Sequence, residues 1–148
     1  VYMGSTTGQA GDANQLGYGA AKAGLSHLCR HVALEHGRKV RSVLLRLGTM
    51  ETNSLGWQKR RAKNSRYAEL EALKNPIGRL LCPDDVAGFI ELLLDPRATF
   101  LRGCEINLDG GLTATGALLP GDSQSRDAYV ELAALVHQAQ AEKDKKIA

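Results

Sequence analysis

Short apolar runs alternate along the chain with longer segments of helical periodicity. Three runs, VYMGST at residues 1–6, RSVLLRL at 41–47 and GCEINL at 103–108, have the length and composition of buried strands. After the first run, apolar residues recur every three or four positions from about Tyr18 to His36, which predicts an amphipathic helix. The pattern therefore favours strand–helix–strand units, in which a helix connects two parallel strands.

The segments between and after these runs also follow helical patterns. Residues 55–73 predict a charged helix or a pair of helices, and residues 122–146 predict a C-terminal helix that is amphipathic or partly frayed. Pro83 followed by two aspartates is typical of a helix start, because acidic side chains favour the positive end of the helix dipole. The buried stripe predicted for that helix consists of Val86, Ile90, Leu93 and Leu94.

Strands that alternate with helices predict an α/β fold with a parallel sheet. Three strands are few for such a sheet, because an open parallel sheet normally buries both faces and must cover or pair its edges. The count agrees with half of a doubly wound domain as well as with a small complete domain.

Composition narrows the function classes. The 148 residues carry a formal net charge of +3 and 5% aromatic residues, which is too little to indicate nucleic-acid binding. No apolar run approaches the roughly 20 residues of a membrane span. The cysteines at 29, 82 and 104 are far apart, so neither a CxxC metal site nor a disulfide framework is expected. We expect a reducing, cytoplasmic compartment.

The strongest chemical signal is Tyr18 with Lys22. Residues four apart lie on one face of a helix, and an ammonium close to a phenol favours the phenolate. A tyrosine acidified in this way can give or take a proton at a carbonyl or alcohol oxygen. Ser5, at the mouth of the first strand, is placed to hydrogen-bond the same oxygen. On its own, the Tyr18–Lys22 pair is weak evidence for catalysis, because a tyrosine and a lysine four residues apart are common on exposed helices.

Four motifs in order give the pair its context: GSTTGQAGDANQLGYGAAKAGL, RSVLLRLGTMET, NPIGRLLCPDDVAGFIELLL and LRGCEINLDGG. Together they make residues 1–113 resemble the C-terminal half of the short-chain dehydrogenase/reductase superfamily. Within it, the chain looks most similar to 3-oxoacyl-[acyl-carrier-protein] reductases. The resemblance implies the C-terminal half of a doubly wound, Rossmann-type sheet, with three parallel strands and flanking helices. Residues 114–148 are then a C-terminal extension.

The resemblance also implies roles. Tyr18 is the catalytic acid/base and also contacts the cofactor, and Lys22 lowers its pKa and binds the nicotinamide ribose. Ser5 holds the substrate oxygen, and Gln15 faces the substrate. The nicotinamide contacts assigned to the loop after the second strand are Gly48, Met50 and Thr52. The implied reaction is hydride transfer between NADP or NAD and a carbonyl compound or secondary alcohol, for which an acyl thioester is the first candidate, and no metal is needed.

The superfamily's glycine-rich phosphate turn belongs before residue 1. We therefore expect these residues alone to bind a dinucleotide poorly, and expect a longer chain or a partner chain to supply the N-terminal half. The resemblance implies a homo-oligomer, either a dimer or a tetramer. It implies neither a nucleic acid nor a membrane as a partner. The alternative function is a non-catalytic subunit or fragment that stabilises a complete partner.

The charged segment at residues 59–66 has two possible interpretations. The basic residues of this segment, which contains no acid, are Lys59, Arg60, Arg61, Lys63 and Arg66. They form either a solvated helix or a docking patch for an anionic partner. Trp57 beside them either packs for stability or closes over a substrate.

Overall fold

The computed structural model describes residues 1–12, 14–115, 131 and 134. The strands are β1 (Tyr2–Ser5), β2 (Val43–Leu47) and β3 (Cys104–Leu108). The helices are α1 (Leu16–His36), α2 (Leu55–Lys63), α3 (Tyr67–Leu73) and α4 (Pro83–Leu94). The chain divides into two compact units. The first contains all three strands with α1 and α4 (Val1–Thr52 and Leu81–Asp109), and the second contains α2 and α3 with the described residues from Gly110 onward.

The first unit is built on a three-stranded parallel sheet in the order β1–β2–β3. The register pairs Ser5 with Leu47 and Leu47 with Leu108, so the carboxyl ends of the three strands lie side by side. Every residue of β2 is buried or half-buried, as expected for a central strand with both faces covered. These three parallel strands with flanking helices confirm the predicted fold class and match the Rossmann-type pattern.

The two faces of the sheet differ in character. One face packs an apolar cluster in which Val43 and Leu45 of β2 contact Val86 and Leu93 of α4. Because side chains alternate across a strand, Leu44 and Arg46 point to the other face, where α1 lies. The first face is therefore an ordinary hydrophobic core, whereas the second includes a buried arginine.

Helix α4 begins at Pro83, as predicted, but not every residue of its predicted buried stripe is buried. Asp85 accepts a hydrogen bond from the Cys82 backbone N–H at 3.0 Å, which closes the first turn. Leu94, predicted to be buried, is 67% exposed. Neighbouring helix residues point about 100° apart, so Leu93 and Leu94 cannot both face the sheet, and Leu93 occupies that place.

The remaining helix predictions have mixed outcomes. The charged segment forms the predicted pair, α2 and α3, and α1 begins at Leu16, two residues before the expected start. Of the predicted helix over 122–146, all but Glu131 and Ala134 lies outside the described residues, so that helix and the 114–148 extension stay predictions. Among the described residues, no helix combines the length and apolar character needed to cross a membrane.

Candidate active site

Ser5 ends β1 and begins a tight turn. Its backbone is extended, and its Oγ accepts a hydrogen bond of 3.2 Å from the Thr7 backbone N–H, which caps the short 3-10 turn Thr6–Gly8. Because Oγ acts there as an acceptor, the hydroxyl proton is left to donate elsewhere. Ser5 thus presents a donor at the carboxyl end of a parallel strand, the edge at which open α/β sheets bind ligands.

The turn after Ser5 packs tightly against the start of α1. A Cβ built on Gly8 would lie 2.9 Å from the Lys22 backbone carbonyl carbon, and one on Gly19 would lie 3.2 Å from the Thr7 oxygen. Both obstacles are backbone atoms, so a larger residue at Gly8 would push the helix away. These two glycines allow the serine turn and α1 to approach each other, a role that the local sequence pattern does not indicate.

Tyr18 and Lys22 share one face near the beginning of α1. The Tyr18 side chain is accessible, since the residue is 47% exposed. The Lys22 Nζ lies 5.5 Å from the centroid of the Tyr18 ring and donates a hydrogen bond of 2.8 Å to the Met3 carbonyl oxygen of β1. This contact with the strand holds the ammonium beside the phenol.

Gln15 precedes the helix by one residue and is half-buried. Its carbonyl oxygen accepts a hydrogen bond of 2.6 Å from the Gly19 N–H, so its backbone belongs to the first turn of α1. Just before it, Asn14 adopts a left-handed conformation with φ of 64°, which asparagine tolerates better than most residues. Gln15 therefore lies next to the turn that carries Tyr18.

The loop after β2 lies beside Ser5, because Ser5 pairs with Leu47 in the sheet. Gly48 is needed there: a Cβ would lie 2.9 Å from the Asp109 Cα, and its N–H donates a hydrogen bond of 3.1 Å to the Leu108 oxygen. Both the predicted serine and the predicted loop are thus at one edge of the sheet.

Met50 forms an isolated parallel bridge with Leu81. The Thr49 carbonyl accepts from Leu81 N at 3.2 Å, and the Glu51 N–H donates to the Leu81 oxygen at 2.9 Å. In a parallel bridge the residues flanking the bridged one supply these bonds, so the Met50 N–H and C=O point away from Leu81. Thr52 follows at the end of the loop and is half-buried.

The first unit therefore contains every residue that the sequence analysis assigned to the Ser5–Tyr18–Lys22 site and its nicotinamide loop, whereas Trp57 and the basic segment lie in the second unit. The Ser5 turn packs directly on the helix that carries Tyr18 and Lys22, and the Gly48–Thr52 loop leaves the neighbouring strand end. The roles of these residues stay predictions.

The basic segment belongs to the second unit. Ser54 caps α2 by accepting a hydrogen bond from the Trp57 N–H at 3.4 Å. Trp57 is 7% exposed and packs edge-on against the Tyr67 ring, with 5.5 Å between the ring centroids. The Arg60 guanidinium lies 5.7 Å from the same ring. Of the two interpretations of Trp57, this contact favours packing for stability.

The pKa of the Tyr67 phenol is raised to about 12, mainly because the ring is partly buried and secondly because the Glu71 carboxylate is nearby. An unfolded tyrosine titrates near pH 10, so the neutral phenol stabilises the fold fully below about pH 10, and that stabilisation is lost as the pH rises through about 12. We expect Trp57 emission to fall late in an alkaline titration, because tyrosinate quenches a nearby indole. Tyr67→Phe is expected to remove this late phase; its persistence, or a phase centred near pH 10, would contradict the assignment.

A family profile described as enoyl-(acyl carrier protein) reductase matches residues 1–113. The chain is 34% identical over 116 residues to 2-(S)-hydroxypropyl-CoM dehydrogenase 3 of Xanthobacter autotrophicus, covering 77% of this chain and 46% of that protein. It is 28% identical over 112 residues to a 3-oxoacyl-[acyl-carrier-protein] reductase of Vibrio cholerae, covering 76% and 44%. The chain thus spans about half the length of the curated relatives it matches.

The chain is also similar to solved protein structures. An oxidoreductase of the short chain dehydrogenase/reductase family from Burkholderia thailandensis superposes with a TM-score of 0.70 at 34% identity, covering 76% of this chain and 43% of that one. Two structures of the same fold at 24% identity, ElxO with NADP bound and 4-hydroxyisoleucine dehydrogenase complexed with NADH, give TM-scores of 0.67 and 0.65, and each comparison covers 76% of this chain and 45% of the other.

Proposed function

Because this chain belongs to the short-chain dehydrogenase/reductase superfamily, we propose that it supplies the catalytic residues of a nicotinamide-dependent oxidoreductase. The reaction would move a hydride between NADP or NAD and a carbonyl compound or secondary alcohol. The observation that supports this best is the exposed Tyr18 ring with the Lys22 ammonium 5.5 Å from its centroid, next to the Ser5 turn.

The residues present fit the nicotinamide riboside part of such a cofactor. Lys22 Nζ uses one of its three protons on the Met3 oxygen, which leaves two for ribose hydroxyls. The Met50 N–H and C=O, which point away from Leu81, match the acceptor and donor of a carboxamide. When bound, the nicotinamide supplies or accepts the hydride.

The protein's own part is to handle the proton and the charge on the substrate oxygen. The Tyr18 hydroxyl donates its proton to the oxygen of a carbonyl during reduction and takes it back during oxidation. The Ser5 hydroxyl donates a hydrogen bond to the same oxygen, which fixes its direction. The Lys22 ammonium stabilises the negative charge that develops on the phenol oxygen.

The relatives leave the substrate open among several classes. A 3-oxoacyl thioester is the first candidate, because a 3-oxoacyl-[acyl-carrier-protein] reductase is among the relatives. Carbonyl groups of sugars, steroids or polyketides are the other candidates. A homo-oligomeric state and a cytoplasmic location belong to the same proposal and rest on the family resemblance.

Cofactor binding tests the proposal. The superfamily's glycine-rich phosphate turn is not among these 148 residues, so we expect weak binding by them alone. We expect tight binding when the preceding part of a longer chain, or a co-expressed partner chain, supplies this turn. Binding of NADPH and NADH is measured by fluorescence of the reduced nicotinamide. If neither cofactor binds under either condition, the enzyme proposal is wrong and the non-catalytic stabilising subunit becomes the better account.

A further inference from the structure

One face of α1 carries polar side chains at every fourth residue. They are Tyr18, Lys22, Ser26 and Arg30, which therefore follow one another along the helix with one turn between neighbours. Ser26 is 5% exposed, so this row of side chains runs into the interface between the helix and the sheet. A helix that packs only by hydrophobic burial would place apolar residues there.

The first two contacts of this row reach different strands. Lys22 Nζ donates a hydrogen bond of 2.8 Å to the Met3 oxygen of β1. One turn later, Ser26 Oγ accepts a hydrogen bond of 3.1 Å from Arg46 Nη2, and Arg46 belongs to β2. Successive turns of the helix are thus attached to successive strands of the sheet.

The third contact reaches β3. Arg30 forms an ion pair with Glu105, and the other oxygen of the same carboxylate pairs with Arg46. The Arg46 and Glu105 side chains are 10% and 14% exposed, whereas that of Arg30 is 57% exposed. We call the set of Lys22, Ser26, Arg30, Arg46 and Glu105 the polar seam.

The polar seam is poorly explained as a source of stability. Removing a carboxylate and a guanidinium from water is costly in free energy, and well-packed apolar residues often replace such pairs without loss of stability. The other face of the same sheet is apolar, with Val86 and Leu93 of α4 against Val43 and Leu45. Buried ionic contacts do have one well-attested use, which is to select a single register between two elements.

We propose that Ser26, Arg30, Arg46 and Glu105 are positioning residues that fix the rotation and axial position of α1 on the sheet. Because Tyr18 and Lys22 belong to the same helix, this contact pattern holds the phenol and the ammonium at the end of β1, beside the Ser5 turn. The inference rests on the proposed function. Positioning matters at this scale, since a displacement of about 1 Å can cost about a hundredfold in rate.

Glu105→Gln tests the proposal, because it keeps the side-chain size and breaks both ion pairs. We expect kcat to fall about tenfold with little change in KM, because the misplaced phenol affects the chemical step more than substrate binding. Glu105→Asp, which keeps the charge, is expected to recover part of the loss. The matched control is Val86→Ala, a destabilising change on the opposite face of the same sheet, with an expected change of less than about twofold.

Arg30→Gln provides a second test in case the Glu105→Gln protein does not fold. Arg30 is the most exposed member of the ionic contacts, and its loss leaves the Glu105–Arg46 pair in place. We expect a fall of several-fold in kcat at nearly unchanged thermal stability. A fall in kcat no larger than that of Val86→Ala, in every seam variant that folds, would overturn the proposal.

A readout that needs no turnover separates this inference from the proposed function. In protein with isotope-labelled tyrosine rings, the Tyr18 signal is assigned by its loss in Tyr18→Phe. Glu105→Gln and Arg30→Gln are expected to shift or split that signal, and Val86→Ala is expected to leave it in place. An unmoved Tyr18 signal in every seam variant that folds contradicts positioning. Normal turnover in Tyr18→Phe instead contradicts the proposed function and leaves the ring measurement valid.

Discussion

Tyr18→Phe is expected to lower kcat by about a thousandfold or more, because a positioned acid/base contributes about a hundredfold to ten-thousandfold to a rate. The substitution removes only the hydroxyl that would give or take the proton at the substrate oxygen. The fold should survive, since the residue is 47% exposed and the substitution keeps the aromatic ring. The measurement is steady-state turnover of a carbonyl substrate with NADPH or NADH, beside thermal unfolding of the same protein.

Tyr2→Phe is the matched control for this substitution, since it removes a tyrosine hydroxyl from β1, in the same unit. It should leave kcat within about twofold, as expected for a change outside the reacting groups. A Tyr18→Phe protein that turns over at the rate of the unchanged protein would exclude Tyr18 as the acid/base. Equal losses in both variants would mean that the effect is structural.

Lys22→Met is expected to lower kcat by about a hundredfold and also to weaken nicotinamide binding, because the ammonium has two proposed tasks. It stabilises negative charge on the phenol oxygen, and its remaining protons bind the ribose hydroxyls. The substitution also removes the hydrogen bond to the Met3 oxygen, so the position of the helix start is affected. Turnover and the Kd of the reduced cofactor are measured separately.

Lys22→Arg and Lys39→Met are the comparisons for this change. Arginine keeps the charge but spreads it over a planar fork, so partial recovery of kcat is expected. Lys39 lies just after α1 and is exposed, so its loss removes one positive charge without touching the site. An unchanged kcat and an unchanged Kd in Lys22→Met would contradict both assigned tasks.

Local patterns were sufficient to predict the sheet. The apolar runs at 1–6, 41–47 and 103–108 each contain an observed strand, because β-rich runs bounded by turn residues have few other ways to bury their side chains. The error at Leu94 has a simple cause. Counting apolar residues does not show which one of two neighbours faces the sheet, since that depends on the direction in which the helix lies.

The site could be predicted in part. The spacing of Tyr18 and Lys22 places them on one helix face, as the structure has them. The Met3 oxygen as partner of Lys22 could not be predicted, because that contact joins residues 19 apart through the fold. Gly8 was missed for the same reason, since its need for a small side chain comes from the Lys22 backbone nearby.

The polar seam could not be predicted from the local sequence pattern either. Arg46 interrupts an apolar strand, and a single polar residue in such a run suggests an exposed position at the end of the strand. Its burial becomes clear only once Ser26 and Glu105, from two other elements, are seen to meet it. Once β2 is known to be the central strand, a charged residue in it indicates a buried partner.

The most direct test of the central claim is transfer of deuterium. The protein, with the N-terminal half supplied by its own longer chain or by a partner chain, is mixed with carbonyl substrates and a reduced nicotinamide cofactor that carries deuterium at both C4 positions. The alcohol product is then analysed by mass spectrometry. We expect one deuterium on the new carbinol carbon with the unchanged protein and background levels with Tyr18→Phe, although both bind the cofactor equally. Equal transfer by the two proteins, or none by either while the cofactor is bound, would contradict the account.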